Sequence, residues 1–246
     1  LIKVITGLRR CGKSTLLSLF ENHLVESGVE KDHIIRMNFE SFEFDEITNY
    51  KELHAYIEDR LISKSKKHYV LLDEVQQVSS WEKAINSFLV DANVDIYITG
   101  SNAYLLSSEL STLLSGRYVE IKMQPLSFRE YLDFIEPDET TDIHEKFNQY
   151  LRFGGLPTVV ELLDTPDLIG SFLEGIYNTV LIKDVIERNA VRDAALLESI
   201  LKYIASNIGS IVSTKKISDY LTSSGRKTTS DTIDNYLLSG FCDNHR

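Results

Sequence analysis

The sequence predicts an α/β fold in which a mostly parallel five-stranded sheet carries helices on both faces and is followed by a helical region. Three observations lead to this prediction. Strand-like and helix-like apolar runs alternate over residues 1–124, a glycine-rich loop joins the first strand to the first helix, and the pattern becomes helical from Ser127. The 246 residues, 43% of them hydrophobic, suffice for one sizeable domain with a small appendage.

The composition argues against several classes of protein. With 37 Asp and Glu against 26 Lys and Arg, the net charge of −11 argues against a protein that coats nucleic acid with a broad basic face. The only two cysteines, Cys11 and Cys242, lie far apart in sequence and form no disulfide framework. No apolar run approaches the ~18 residues of a membrane span. We therefore expect no membrane contact and a cytoplasmic location.

The first strand leads into a phosphate-binding motif. An apolar run over residues 2–5 is followed by Gly-Leu-Arg-Arg-Cys-Gly-Lys-Ser at 7–14, which fits GxxxxGK[ST] at every fixed position, and the next segment has helical periodicity. In such a P-loop the backbone N–H groups contact phosphate oxygens, Lys13 reaches the β- and γ-phosphates, and the Ser14 hydroxyl ligates Mg²⁺. The predicted nucleotide contacts in this loop are Gly7, Arg9, Arg10, Cys11, Gly12, Lys13, Ser14 and Thr15.

Three of these contacts also have a simpler interpretation. Arg9 and Arg10 occupy variable positions of the motif, where solvated cations are common. Cys11 is interpreted as a small side chain that fills space, and a redox switch is the less favoured reading.

A second strand supplies the acidic partners of the loop. The apolar run Tyr69–Leu72 reads as a central parallel strand and ends at Asp73 and Glu74. Asp73 is predicted to hold the Mg²⁺ hydration shell and Glu74 to polarise the attacking water, although Glu74 could also be a solvated carboxylate. An acid beside the magnesium ligand favours hydrolysis over a small-molecule kinase. The sequence lacks an Asn-Lys-x-Asp element, which favours adenine over guanine.

Two further positions are candidates for the same site. After the strand at 94–99, Ser101 is a possible nucleotide contact and Asn102 a possible catalytic residue that orients the water; turn residues capping the next helix are an equal alternative. Arg117 begins the fifth strand, on the side where the other sites are expected to gather. It is interpreted either as a finger on the γ-phosphate of its own or a neighbouring subunit, or as a surface arginine.

Six motifs in this order resemble one family. They are Gly-Leu-Arg-Arg-Cys-Gly-Lys-Ser-Thr-Leu-Leu at 7–17, Leu-Leu-Asp-Glu-Val-Gln at 71–76, Thr-Gly-Ser-Asn at 99–102, Ser-Gly-Arg at 115–117, Pro-Leu-Ser-Phe-Arg-Glu-Tyr at 125–131 and Gly-Gly-Leu-Pro at 154–157. The combination resembles the prokaryotic AAA-like ATPases of the archaeal-ATPase type, related to the AAA+ and STAND groupings. The resemblance implies an ASCE-type P-loop core, a helical lid, a winged-helix domain and ATP as the nucleotide. It also implies that a further C-terminal domain is missing from this sequence.

The expected domains are a nucleotide-binding domain at 1–124, a helical lid at 125–189 and a winged-helix-like domain at 190–246. The last segment carries seven Lys and Arg against six Asp and Glu, a charge of +1, so both DNA and a protein remain candidate partners. The groups available for phosphates there are Lys215, Lys216, Arg226, Lys227, Thr228, Thr229 and Ser230. Because residue 1 falls inside a strand pattern and residues 240–246 follow an apolar helical run, we expect a piece of a longer protein.

The favoured function is hydrolysis of MgATP coupled to the winged helix. The alternative is a slowly hydrolysing switch or scaffold that binds DNA or a partner protein. A homo-oligomer is possible, since an arginine acting between subunits would require one.

Overall fold

Five parallel strands form a single sheet in the computed structural model. They are β1 (Ile2–Gly7), β2 (Ile34–Asn38), β3 (His68–Asp73), β4 (Val94–Thr99) and β5 (Tyr118–Met123). Their order is β2-β3-β4-β1-β5, and each neighbouring pair is parallel. The predicted α/β sheet is confirmed, and the strands that the sequence predicts near 2–6, 34–39, 69–73, 94–99 and 118–123 each end within one residue of the observed bounds. All strands therefore end at one edge of the sheet, here called the carboxyl edge, and begin at the opposite amino edge.

The structure describes residues 1–63, 66–91, 93–100, 114, 116–138, 141–179 and 193–241. The chain divides into two compact units, Leu1–Ile169 and Gly170–Arg246. The predicted three-part division at residues 124 and 189 stays a prediction.

Helices cover both faces of the sheet because successive strand residues point to opposite faces. On one face, Val4 and Val70 belong to a core shared with α2 (Tyr50–Arg60) and α3 (Trp81–Asp91). On the other face, Ile5 and Leu71 pack against Leu17 of α1 (Lys13–Glu26). Burial on both faces explains the continuous apolar runs of the central strands.

In the described part of the chain, three short helices lie between β5 and residue 162. They are α4 (Phe128–Ile135), α5 (Ile143–Phe153) and α6 (Pro157–Glu161). Helix α4 begins with a capping box in which Ser127 accepts from the Glu130 backbone and the Glu130 side chain accepts from Ser127. Helix α6 begins at Pro157, as a proline at the first helical position allows.

Among the described residues of the second unit, three helices share one core. Helix α7 (Pro166–Thr179) crosses the boundary between the units and is followed by α8 (Ala194–Ser206), α9 (Thr214–Ser223) and α10 (Ser230–Phe241). The last three bury one shared cluster of side chains, Leu196, Ile200, Ile217, Leu221 and Ile233. The apolar periodicity of the sequence predicts helices near 196–208, 215–221 and 232–238, which overlap these three, while the winged helix itself stays a prediction. Within the described ranges, no helix has the length and apolar character needed to cross a bilayer.

Candidate functional site

The loop after β1 has a backbone that its glycines make possible. Gly7 has φ +153°, and a Cβ atom there would lie 2.5 Å from the main-chain oxygen of Met123 and 2.9 Å from the sulfur of Cys11. Gly12 precedes α1 with φ +99°, in the left-handed region that glycine adopts without strain. The loop therefore turns tightly over the end of β5 before the chain enters α1.

Lys13 follows this loop directly, and its side chain folds back to contact the loop backbone. It is the first residue of α1, only 5% of its surface is exposed, and its Nζ donates to the carbonyl oxygens of Gly7 and Leu8, both at 3.2 Å. An ammonium group has three donors, so these two bonds leave one for another acceptor. The arrangement places a positive charge beside the N-terminus of α1, where an anion is favoured.

The other residues of the loop differ in their exposure. Ser14 and Thr15 are exposed in the first turn of α1, Arg10 is exposed with φ +62°, and Arg9 is half-buried. Cys11 is buried, and this burial raises the pKa of its thiol. A buried thiol with a raised pKa is a poor nucleophile, so the structure agrees with the interpretation of Cys11 as a small filler.

Asp73 is the last residue of β3 and is 1% exposed. Its Oδ1 accepts a hydrogen bond from the hydroxyl of Thr99, whereas its Oδ2 is buried with no hydrogen-bond partner. A buried carboxylate oxygen without a partner is costly unless another group, such as a cation, meets it. Together with the exposed hydroxyl of Ser14, this all-oxygen set suits Mg²⁺.

Glu74 follows with a left-handed backbone, φ +56°. Its N–H donates to the Thr99 hydroxyl oxygen at 3.2 Å, and its carboxylate Oε2 accepts from the side-chain amide of Gln76 at 2.5 Å. Both acidic residues are thus held by neighbours on the same edge of the sheet.

Thr99 is the site residue that the sequence reasoning missed. It ends β4, is fully buried, and bridges the Asp73 side chain and the Glu74 backbone. A signal was present in the sequence, since Thr99 is the polar last residue of an apolar strand and stands two residues before Ser101.

The sheet brings the P-loop and the acidic residues to one edge. Gly7, Asp73 and Thr99 each end a parallel strand, and β4 lies between β1 and β3. The ends of β1 and β3 are therefore about two strand spacings, or ~10 Å, apart. Ser101 and Asn102, the predicted water-orienting residues, lie outside the described residues.

Arg117 lies at the opposite edge. It precedes β5, and its carbonyl oxygen accepts from the N–H of Ile2, the first residue of β1. The parallel register runs from Ile2 beside Tyr118 to Gly7 beside Met123, so Arg117 is about 16 Å from the P-loop at ~3.3 Å per residue. The expectation that Arg117 begins β5 on the side where the sites gather is wrong, because a parallel strand begins at the amino edge. The main chain of Arg117 is therefore far from any phosphate that the P-loop would bind.

The turn before α6 lies against the P-loop at Gly12. A Cβ atom on Gly12 would lie 3.3 Å from the Met123 methyl group and 4.0 Å from the ring of Pro157. The turn is fixed in place because the Leu126 N–H donates to the Gly155 carbonyl oxygen at 2.7 Å. Gly155 is required there, since a Cβ atom would lie 2.1 Å from the Leu126 oxygen.

Within the described part of the chain, no group of three or more His, Cys, Asp or Glu residues could hold a metal ion.

Comparisons with known proteins agree with this architecture. A family model described as an AAA domain matches residues 1–132, and one described as a domain of unknown function matches residues 144–239. An uncharacterized protein of Haemophilus influenzae is 42% identical over 237 residues, which are 96% of this chain and 59% of that protein. An uncharacterized protein of Methanocaldococcus jannaschii is 30% identical over 245 residues, 96% of this chain and 53% of that protein. The chain thus spans little more than half of each relative.

Solved structures share the fold. The Aeropyrum pernix ORC2 protein, in ADPNP-ADP complexes and in an ADP form, matches with TM-scores of 0.58 and 0.55. The sequence identities are 14% and 13%, and each match covers 97% of this chain and 79% of the other. At such identities the likeness extends to the fold alone.

Proposed function

Because the chain belongs to the AAA-domain family, we propose that it binds MgATP in the loop Gly7–Ser14 and hydrolyses it. The observation that carries the proposal is the incomplete hydrogen bonding of the Asp73 carboxylate. Its Oδ2 is buried without a partner at the edge of the sheet where the P-loop lies. Because buried polar atoms usually have a hydrogen-bond partner, this oxygen is available to a bound cation.

Each residue has a role in binding. The loop N–H groups and the third donor of Lys13 contact the phosphate oxygens, and the N-terminus of α1 adds a favourable field. Ser14 and Asp73 would hold Mg²⁺, which offsets the charge on the β- and γ-phosphates when bound. The absence of an Asn-Lys-x-Asp element supports adenine over guanine.

Glu74 acts as the base in the hydrolysis. The water oxygen forms a bond to the γ-phosphorus, the bond from that phosphorus to the β–γ bridging oxygen breaks, and ADP leaves with the electron pair. Glu74 accepts the proton that the water loses and releases it to solvent. Positioning and charge stabilisation, with no covalent intermediate, supply the rate enhancement.

The second unit is proposed to respond to the nucleotide as a winged-helix domain that contacts DNA or a partner protein. Its support is the three-helix core with a turn between α9 and α10, which is fixed by the Ser218 hydroxyl donating to the Thr228 carbonyl oxygen at 3.0 Å. Arg117 lies at the amino edge and could reach phosphate only on a neighbouring copy, so this role requires a homo-oligomer.

Nucleotide binding and phosphate release, measured on the same preparations, test the proposal. Lys13→Ala is expected to weaken binding of MgATP by at least about tenfold. Glu74→Gln should retain binding and release phosphate about 100-fold more slowly, as loss of a general base does. Lys31→Ala, which changes an exposed lysine away from the site, is the matched control and should behave as wild type.

The outcomes separate the assignments. Normal MgATP binding by Lys13→Ala would show that the P-loop is not the nucleotide site. Wild-type hydrolysis by Glu74→Gln would remove the base assignment. Tight binding with negligible turnover in the wild type itself would favour the slowly hydrolysing switch.

A further inference from the structure

Gln76 contacts the proposed base directly. It lies in the short 3-10 helix Val75–Gln77 that follows Glu74, and its side chain is half-buried. Its Nε2 donates to Glu74 Oε2 at 2.5 Å, while its own Oε1 is buried with no hydrogen-bond partner. This residue closes the Leu71–Gln76 motif and has no role in the proposed function.

The chemistry of the two side chains fixes the direction of this contact. An ionised carboxylate only accepts hydrogen bonds, so the amide must present its N–H₂ group to Glu74. Turning the amide over would put an oxygen against the carboxylate, and the two would repel. Gln76 therefore has its donor directed to Glu74, while its acceptor oxygen remains buried and unpaired.

Glu74 needs such a restraint because only its backbone is otherwise held. The Thr99 hydroxyl accepts from its N–H, and its left-handed backbone starts a turn, but neither feature orients the carboxylate. A base must keep its carboxylate within hydrogen-bond reach of the water that it deprotonates. The Gln76 bond occupies Oε2 and leaves Oε1 to accept the proton.

We propose that Gln76 is a positioning residue for hydrolysis, because its side-chain amide holds Glu74 Oε2 and commits Oε1 to the attacking water. This inference rests on the proposed function, since it has meaning only if Glu74 is the base. It assigns Gln76 no contact with nucleotide. The predicted signature is therefore a change in kcat without a change in KM.

Single-turnover phosphate release, steady-state hydrolysis and nucleotide binding test this inference on the whole chain. Gln76→Leu is expected to lower kcat about tenfold, with KM and the Kd of MgATP changed less than about twofold, as for a group whose effect appears only in the transition state. Gln76→Glu keeps the shape of the side chain and replaces the donor by an acceptor, so it should lose at least as much. Gln77→Leu, at the exposed next position of the same turn, is the control and should match wild type.

A double-mutant cycle separates positioning from a merely structural role. If Gln76 acts through Glu74, adding Gln76→Leu to Glu74→Gln should change the residual rate less than about twofold, because effects of residues that act as a unit are not additive. A tenfold further loss in the double variant, an unchanged or raised kcat in both single variants, or weakened nucleotide binding would each overturn the inference.

The wild-type measurement distinguishes this failure from failure of the proposed function. A wild-type chain that binds no MgATP, or binds it without releasing phosphate, would refute the proposed hydrolysis and this inference with it. An active wild type whose rate depends on Glu74 but not on Gln76 would refute this inference alone.

Discussion

Asp73 and Asp95 are buried carboxylates on neighbouring strands, at opposite edges of the sheet, and their oxygens have different partners. Asp95, in β4 at the amino edge, pairs with Lys3 through Oδ1 and with Lys67 through Oδ2 at 2.9 Å. Asp73, at the carboxyl edge, receives one hydroxyl and keeps one buried oxygen without a partner. The fold satisfies the first carboxylate internally and leaves the second with capacity for a ligand.

The pKa of Asp95 reflects this pairing. Burial alone would raise the pKa of Asp95, but the hydrogen bonds and positive charges of Lys3 and Lys67 outweigh burial and lower it. A charge satisfied in this way contributes to stability, whereas a charge left unsatisfied costs stability and remains available for binding. We therefore expect that replacing Asp73 by asparagine lowers activity without lowering stability, and that the same change at Asp95 lowers stability without lowering activity.

Asp73→Asn should give the largest effect on activity. The change keeps an oxygen for the Thr99 hydroxyl but removes the negative charge proposed to hold Mg²⁺. Hydrolysis should fall at least about 100-fold, equivalent to ~2.7 kcal/mol of transition-state stabilisation. Thermal unfolding should occur at the same or a higher temperature, because a buried unpaired charge is lost. A variant that hydrolyses normally but unfolds early would contradict this difference between the two edges.

Asp95→Asn should give the reciprocal result. Loss of the carboxylate leaves two ammonium groups without their partner, and because Lys67 is half exposed, water compensates for part of the loss. We expect unfolding to become easier by about 2 kcal/mol, with kcat unchanged, as measured by urea denaturation and phosphate release. A fall in kcat together with the loss of stability would show that Asp95 at the amino edge is not merely structural.

Thr99→Val tests the bridge between the two acids. Valine has nearly the same shape, but it gives no donor to Asp73 and no acceptor to the Glu74 N–H. We expect kcat to fall about tenfold, or ~1.4 kcal/mol, with a smaller rise in KM. Thr48→Val, which alters an exposed threonine bonded to Glu52, serves as a control for loss of a hydroxyl and should leave kcat unchanged.

His68 should give the smallest effect, and it depends on pH. The pKa of His68 is lowered chiefly by burial and further by the neighbouring His33, with an opposing hydrogen bond to the Lys66 carbonyl. The Nδ1 atom of His33 in turn lies 3.6 Å from Oε2 of Glu30. The unfolded chain therefore binds a proton at His68 more readily than the folded chain does. Neutral His68 contributes to the free energy of unfolding above its unfolded pKa of about 6.5, and this contribution is lost as the pH falls below that value.

The expected loss from this histidine between pH 7.5 and 5.5 is about 1 kcal/mol or less, measured by urea denaturation at each pH. His68→Phe removes the titrating group and should show a smaller loss over the same interval. The same slope in variant and wild type would assign the pH dependence to other groups.

The strands and the P-loop could be predicted from sequence because their signals are local. A buried parallel strand is a continuous apolar run, and the loop's glycines and lysine stand at fixed spacings. The position of Thr99 between the two acids depends on which strands are neighbours, which one sequence does not state. The wrong placement of Arg117 has the same origin, since only the strand direction decides the edge at which the start of β5 lies. The sequence suggests only that the histidines are scattered surface or helix residues, whereas His33 and His68 are both buried, with their ring centroids 4.8 Å apart.

The bonds from Lys13 to the Gly7 and Leu8 carbonyls have a consequence for the thermodynamics of nucleotide capture. A lysine side chain carries about 2 kcal/mol of rotamer entropy, and in this protein most of that freedom is lost when the chain folds. If a triphosphate binds in this loop as proposed, it would meet an ammonium group that is already immobilised, so association would carry a smaller entropic penalty. Part of the ordering that binding would require is thus completed when the chain folds.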